Sequence, residues 1–228
     1  MPNPGTLITL EGIDGSGKGT QAQFLIDRLQ EEGFPLTLFS FPRYGNPSAR
    51  HVEQYLNKEL GALHDVDVYT ASCLFAMDRF HAKTEMQTAL DAGHLVICDR
   101  YVLSNCAHQG SRFTTEAERE KFFQWNFALE HETNRIPQAD SAIVLRMPPA
   151  IAQRFVAAKA PRAHLGEKTH DLHEDSIDHL TLADAVYEQL LKLYPGTCVP
   201  IHCTEGDHVL DPARIHDKIW DHVMTLVR

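Results

Sequence analysis

The sequence predicts an α/β protein: a five-stranded parallel sheet with helices on both faces. Three observations carry that expectation. Short continuous apolar runs, such as Leu7–Leu10, Leu95–Cys98 and Ala142–Leu145, alternate with segments of helical period. Strands covered on both faces read as such runs, because neither side meets water. A glycine-rich stretch, Gly12–Thr20, joins the first run to the first helical segment. The chain has 228 residues, 43% hydrophobic and 23% charged, which is ordinary globular composition. A chain of that size buries about 70–75% of its unfolded surface, enough to fold as one domain over residues 1–228 without staples.

The elements follow in order. Leu7–Leu10 is a buried strand ending in a glycine-rich turn. Ala22, Leu25, Ile26 and Leu29 recur at helical spacing, and Gly33 stops that helix. Leu36 to Phe41 reads as a second strand, cut by Pro42. Asp67 is placed to cap a helix from Val68 to about Leu90, which Gly93 ends. Leu95–Cys98 is the third strand. Thr115 and Glu118 have capping-box spacing before an aromatic helix, Phe122 to Leu129. Ala142–Leu145 is the fourth strand. Ala183, Val186, Tyr187, Leu190, Leu191 and Tyr194 form a helical stripe. Thr197 to Cys203 is the fifth strand, and Pro200 inside it places it at a sheet edge. Ile215, Ile219 and Leu226 mark a last helix. The segment of about 159–171 has no clear period and is polar; it reads either as a plain surface loop or as a mobile lid.

Composition excludes several function classes. The net charge is −10 with no Lys/Arg run, which disfavours coating nucleic acid or anionic membrane. An anionic ligand must then be held by a few placed cations. No stretch approaches 18 apolar residues, and the Met1–Gly5 start has neither a basic nor an apolar signal region. The five cysteines, Cys73, Cys98, Cys106, Cys198 and Cys203, show no C-x-x-C spacing, so a reducing cytoplasm is expected. Fourteen histidines are scattered; His164, His170, His173 and His179 share one polar stretch and read as solvated, because their spacing matches no common zinc pattern.

Gly12-Ile13-Asp14-Gly15-Ser16-Gly17-Lys18-Gly19-Thr20 fits G-x-x-x-x-G-K in a strand–turn–helix context. Its glycines let backbone N–H groups close on a polyphosphate, and the helix N-terminus favours anions. Lys18 is placed to reach the terminal phosphates of that polyphosphate. Gly19 stands where the general motif has a hydroxyl for Mg²⁺, and Thr20 is one residue late. An acid elsewhere must help with the metal. Asp99, at a strand end, is the candidate; it could equally be a structural acid pairing Arg100 or Lys18. No guanine-selecting N-K-x-D follows a strand, which leaves the kinases of small molecules.

Four blocks then come in order: Glu11-Gly-Ile-Asp-Gly-Ser-Gly-Lys-Gly-Thr, Phe41-Pro-Arg-Tyr, Leu74-Phe-Ala-Met-Asp-Arg and Asp99-Arg-Tyr-Val-Leu-Ser-Asn-Cys-Ala-His-Gln. Together they resemble the thymidylate kinase family from residue 7 to about 110, and the helix at Ile177 to Tyr194 extends the likeness. The resemblance implies a P-loop nucleoside-monophosphate-kinase fold, ATP with Mg²⁺, dTMP as acceptor, and a cytoplasmic homodimer. Each block also makes physical sense. Arg43 lies past a strand end, where α/β sheets bind ligands, and a guanidinium grips phosphate in a fork. Phe75 and Arg79 are four apart on one helix face. Phe75 can stack on a pyrimidine ring, or be a core aromatic; Arg79 can reach a ring carbonyl, or be a solvated helix residue.

By resemblance, Asp14 faces the sugar 3′-hydroxyl, Arg100 touches phosphates, and Asn105 and Gln109 approach the base. His108 stands where the family usually carries Tyr or Phe against the 2′ side of the sugar. Some members carry a catalytic arginine in the P-loop after the acid; here that place is Gly15. The missing cation is then expected from the lid, where Lys159, Arg162 and Lys168 stand, with Arg162 preferred. The alternatives are another nucleotide kinase, a deoxynucleoside kinase using Glu11 or Asp99 as base, or a nucleotide-binding regulatory module without turnover.

Overall fold

The computed structural model describes residues 5–158 and 177–227. Five parallel strands, β1 (Thr6–Glu11), β2 (Leu36–Ser40), β3 (Leu95–Asp99), β4 (Ser141–Arg146) and β5 (Cys198–His202), lie in the order β2-β3-β1-β4-β5. The expected fold is therefore present. The central strands are apolar because both faces are covered: Leu7, Ile8, Leu10, Val96, Ile97, Ile143 and Val144 are buried.

Helices α1 (Lys18–Glu31) and α8 (Pro212–Val227) pack together on one face. The other face carries α3 (Val68–Asp91), α4 (Val102–Gly110), α5 (Glu116–Phe127) and α7 (Ile177–Leu193). This division follows from right-handed crossovers. The chain runs from β1 leftward to β2, then rightward through β3, β4 and β5, so the helices between β2 and β5 fall on the opposite side from α1, while α8, after the last strand, returns to α1.

The punctuation agrees with the sequence. Gly33 and Gly93 follow α1 and α3 with φ of 78° and 81°. Asp67 caps α3 by accepting from the Tyr69 and Thr70 N–H groups at 2.8 and 3.2 Å. The Thr115–Glu118 capping box is formed in both directions. It starts α5 at Glu116, earlier than the aromatic run suggests, and a π-turn over Ala128–Thr133 ends it. Sequence reading passed over α2 (Arg50–Leu56), α4, α6 (Pro149–Ala157) and a hairpin of β6 (Thr204–Glu205) and β7 (His208–Val209). Pro200 lies on β5, an edge strand, as expected. The segment of about 159–171, with its expected lid role, lies outside the described residues.

Register sets the site. Leu10 of β1 and Ser40 of β2 both stand opposite Asp99 of β3, and Glu11 stands opposite Val144 of β4. Strands β1, β2 and β3 thus end within one residue of each other, while β4 runs on to Arg146, and the turns after β1, β2 and β3 meet at one carboxyl edge of the sheet.

Candidate active site

The first wall is the turn after β1. Gly12, Gly15 and Gly17 have φ of 135°, 81° and 93°, a region that suits only glycine without strain. Gly15 also has no room for a side chain: a Cβ there would lie 2.1 Å from the Ala152 carbonyl oxygen of α6. Helix α1 begins at Lys18, so its free N–H groups open onto the turn. Lys18 Nζ lies along the inner rim, donating to the Gly12 and Ile13 carbonyls at 2.9 and 2.8 Å. Burial, seconded by the charge of Arg100, pulls its pKa down to about 7. The protein alone therefore holds this ammonium poorly; a polyphosphate in the loop would restore its charge.

The second wall follows β3. Arg100 has φ of 67°, in the left-handed region that a non-glycine residue seldom occupies. Its N–H donates to the Leu10 carbonyl at 2.9 Å, which ties the turn to β1. Its guanidinium pairs with Asp14 of the P-loop and donates to His108 Nε2 at 3.2 Å. Arg100 thus belongs to both walls. Asp14, Lys18 and Arg100 come together as the sequence suggests.

Asp99 pairs with neither Arg100 nor Lys18; Asp14 takes the guanidinium instead. One Asp99 oxygen is buried with no hydrogen-bond partner among the described residues. The other lies 3.8 Å from where a Cβ on Gly19 would stand. A lone carboxylate at a strand end, facing the start of α1 with an unused oxygen, fits a cation held otherwise by phosphate and water. Among the described residues no cluster of three or more His, Cys, Asp or Glu could hold a metal by itself.

Beside the P-loop lies a cleft of about 520 Å³, part of it open to solvent. Asp14, Phe75, Arg79, Arg100, Asn105, His108 and Gln109 all line it, together with Phe41, Tyr44 and Tyr101. Phe75 is half-buried and meets Tyr55 edge-to-face, with centroids 6.1 Å apart. Asn105 donates to Asn126 Oδ1 at 3.0 Å and to the Ser72 carbonyl at 3.2 Å, so its own Oδ1 is aimed elsewhere. That Oδ1, and both amide atoms of Gln109, are buried with no partner among the described residues. Buried polar atoms of this kind are rare unless a ligand completes them.

Arg79 is buried, not solvated. Its Nε donates to Glu130 Oε1 at 3.0 Å and its Nη2 bonds the same oxygen. Glu130 comes from the π-turn after α5, a distortion common at functional sites. Arg43 does not line the cleft. Asp78 holds it through backbone N–H (2.7 Å) and Nε (3.0 Å), and Ser48 accepts from Nη2 at 2.8 Å. His179, expected among solvated histidines, is buried in α7 against His108. Its burial is a correction: His179 lies on the inner face of α7, which starts at Ile177. His164, His170, His173, Lys159, Arg162 and Lys168 lie outside the described residues.

Sequence reasoning missed Glu130, Asp78 and the role of His179. Asp78 had a local signal, since it adjoins Arg79 inside the third block. Glu130 had none: it lies 51 residues from its partner and is oriented by the π-turn.

A glycine loop at a helix start, a lysine on its rim and a cleft beside it place the chain among the P-loop phosphotransferases. Comparison with known proteins narrows the class. The thymidylate kinase family model matches residues 10–181. A thymidylate kinase from Afipia carboxidovorans is 30% identical over 221 residues, 96% of this chain and 89% of that protein. One from Mycobacterium tuberculosis is 30% identical over 185 residues, 81% of this chain and 85% of that protein. The solved structure of thymidylate kinase from Candida albicans superposes with a TM-score of 0.71 at 20% identity, covering 97% of this chain and 92% of that one. That last likeness shows the fold. The chain belongs to the thymidylate kinase family, and so to the ATP-dependent nucleoside-monophosphate kinases.

Proposed function

We propose that this chain transfers the γ-phosphoryl group of ATP to dTMP, giving dTDP and ADP. The observation that carries the acceptor is the set of unpartnered buried amide atoms on Asn105 and Gln109, in one cleft with Phe75 and Arg79. A pyrimidine edge offers both donor and acceptor to amides, and its face suits an aromatic ring. Arg79, locked by Glu130, keeps a nitrogen for a ring carbonyl. Asp14 takes the sugar hydroxyl, and Arg100 bridges toward the phosphates. Arg43 supports the phosphate end from beside the cleft.

The acceptor oxygen is already largely dianionic at pH 7, since a phosphate monoester has its second pKa near about 6. No general base is needed. Catalysis is alignment plus neutralisation of spreading charge, the work of Lys18, Arg100 and, from the segment outside the described residues, Arg162. ATP sits in the Gly12–Thr20 loop. Asp99 would hold Mg²⁺, which when bound neutralises β- and γ-phosphate oxygens.

The chain acts as one domain and as a homodimer. Cys73, Met77 and Phe80 form an exposed stripe at helical spacing on α3, which supports a helix-to-helix contact between copies. All five cysteines are unpaired, in keeping with a cytoplasmic setting. No described helix is long and apolar enough to cross a membrane. The charge of −10 argues against nucleic acid as a partner.

The test is coupled ADP release from the purified protein with ATP, Mg²⁺ and a panel of nucleosides and nucleoside monophosphates. Turnover with dTMP well above all others is expected. Preference for another monophosphate or for a nucleoside, or nucleotide binding without turnover, would each overturn the assignment.

A further inference from the structure

Three side chains form a hydrogen-bonded row along the cleft wall: Arg100 of the turn after β3, His108 of α4 and His179 of α7. Arg100 Nη1 lies 3.2 Å from His108 Nε2, and His108 Nδ1 lies 3.2 Å from His179 Nε2. The two imidazole planes are within 26° of each other and their centroids 5.4 Å apart, the spacing of rings that meet edge to edge through their nitrogens. Both rings are buried.

The chemistry of the donors fixes the direction of the whole row. A guanidinium only donates. His108 Nε2 must therefore present its lone pair, and the proton of the neutral ring sits on Nδ1. That Nδ1–H donates to His179, whose Nε2 must in turn accept, placing its own proton on Nδ1. Each ring has one arrangement compatible with its neighbours.

From this we infer that His179 is a positioning residue for substrate recognition: it consumes the Nδ1–H of His108, so that His108 meets the cleft with carbon edges only and holds Arg100 toward Asp14. The imidazole is thereby kept from bonding a polar group on the bound molecule. A smaller, more polar ring does the work of an apolar wall because its two nitrogens are both spent inside the protein. The consequence for selectivity rests on the proposed monophosphate cleft, where a 2′-hydroxyl is the polar group this wall would refuse.

Two measurements separate the row from the cleft reading. The first uses no substrate: long-range ¹H–¹⁵N correlation of the uniformly ¹⁵N-labelled full chain at pH 7.5, with His108 and His179 assigned by the cross-peaks lost in His108→Gln and His179→Gln. Both rings are expected as neutral Nδ1–H tautomers. An Nε2–H form or a charged imidazolium at either ring would overturn the row, whatever the substrate.

The second compares kcat/KM for dTMP and its 2′-hydroxy counterpart. His179→Leu removes the acceptor and frees the His108 Nδ1–H. The ratio should shift toward the 2′-hydroxy substrate by about fivefold, the worth of one net hydrogen bond. His179→Gln places an amide oxygen near the former Nε2 and should restore the parental ratio. If Leu and Gln shift the ratio equally, or neither does, His179 serves packing alone and the inference fails. A parent with the expected tautomers but no dTMP turnover would instead sink the cleft reading and leave the row standing.

Discussion

Asp14 and Arg100 close an ion pair between the P-loop and the turn after β3. The pair joins the donor loop to the acceptor cleft, because Asp14 sits inside the glycine motif and Arg100 lines the cleft beside it. The left-handed backbone at Arg100 is what lets the guanidinium turn back toward β1. A residue held in the left-handed region so that its charged group spans the glycine loop and the cleft is an arrangement with a structural cost.

Lys18 is the rim cation of the loop, and Lys18→Ala should lower kcat by about 10²–10³, the range for losing one preorganised charge donor. Its thermal unfolding should stay cooperative. Steady-state turnover of dTMP within tenfold of the parent would remove Lys18 from the phosphoryl-transfer machinery.

The same side chain predicts a proton linkage. With its pKa pulled down to about 7, Lys18 is mostly neutral at pH 8 in the protein alone. A triphosphate beside it favours the charged form, so ATP binding at pH 8 should take up protons, and affinity should fall as pH rises from 7. Calorimetry in two buffers of different ionisation enthalpy measures this; Lys18→Met should abolish the uptake. Stability has its own sign. Between pH 7 and the ordinary lysine value the unfolded chain holds more protons than the folded one, so stability from this group rises with pH across that window.

Much of this was legible in the sequence, and the reasons differ by element. The apolar runs of β1, β3 and β4 had to be buried strands, and Pro200 had to lie at an edge. Helix α4 was not legible: every residue from Val102 to Gly110 is buried, so no amphipathic period marks it. Of the eight positions expected around the acceptor, seven line one cleft, because their blocks sit at strand ends that the register brings level. The partners that hold them, Glu130 on Arg79 and His179 on His108, come from distant elements, and no local pattern announces such pairing.

Arg79 depends on Glu130 for its place. Glu130→Ala leaves a buried guanidinium without its carboxylate and should cost about 3–5 kcal/mol of stability, read from urea unfolding. Glu130→Gln keeps one acceptor and should cost less, while raising the KM for dTMP through a loosened Arg79. An unchanged KM in a folded Gln variant would show that this arginine does not face the base.

Gly15 and Gly17 share a positive φ but differ in surroundings. Alanine at either position carries the left-handed backbone strain of about 1–2 kcal/mol. At Gly15 the new methyl also meets the Ala152 carbonyl at 2.1 Å, whereas nothing lies within 4 Å at Gly17. Gly15→Ala should therefore have the lower melting temperature and the weaker ATP binding of the two. Equal melting temperatures would mean that α6 yields freely.

That crowding also bears on the source of the missing cation. An arginine could not enter at Gly15 without displacing α6, which supports the proposal that Arg162 supplies the cation. Arg162→Ala should lower kcat by about 10³–10⁵ with little change in either KM. Lys159→Ala and Lys168→Ala serve as controls in the same rapid-quench measurement. A large loss in one of them, and none at Arg162, would reassign the role.

The edge position of Pro200 has a consequence for how copies of this chain keep apart. Thr197 and Cys203 bond inward to β4, so by alternation Cys198, Pro200 and His202 turn their backbone outward. The Cys198 N–H is already given to the Tyr194 carbonyl, Pro200 has no N–H to give, and the His202 carbonyl accepts from Lys218 at 3.4 Å. Of the amide donors a foreign strand would need along β5, only the His202 N–H is left to offer. The β5 edge of the sheet is in this way a poor template for strand addition, which disfavours edge-to-edge aggregation from that side.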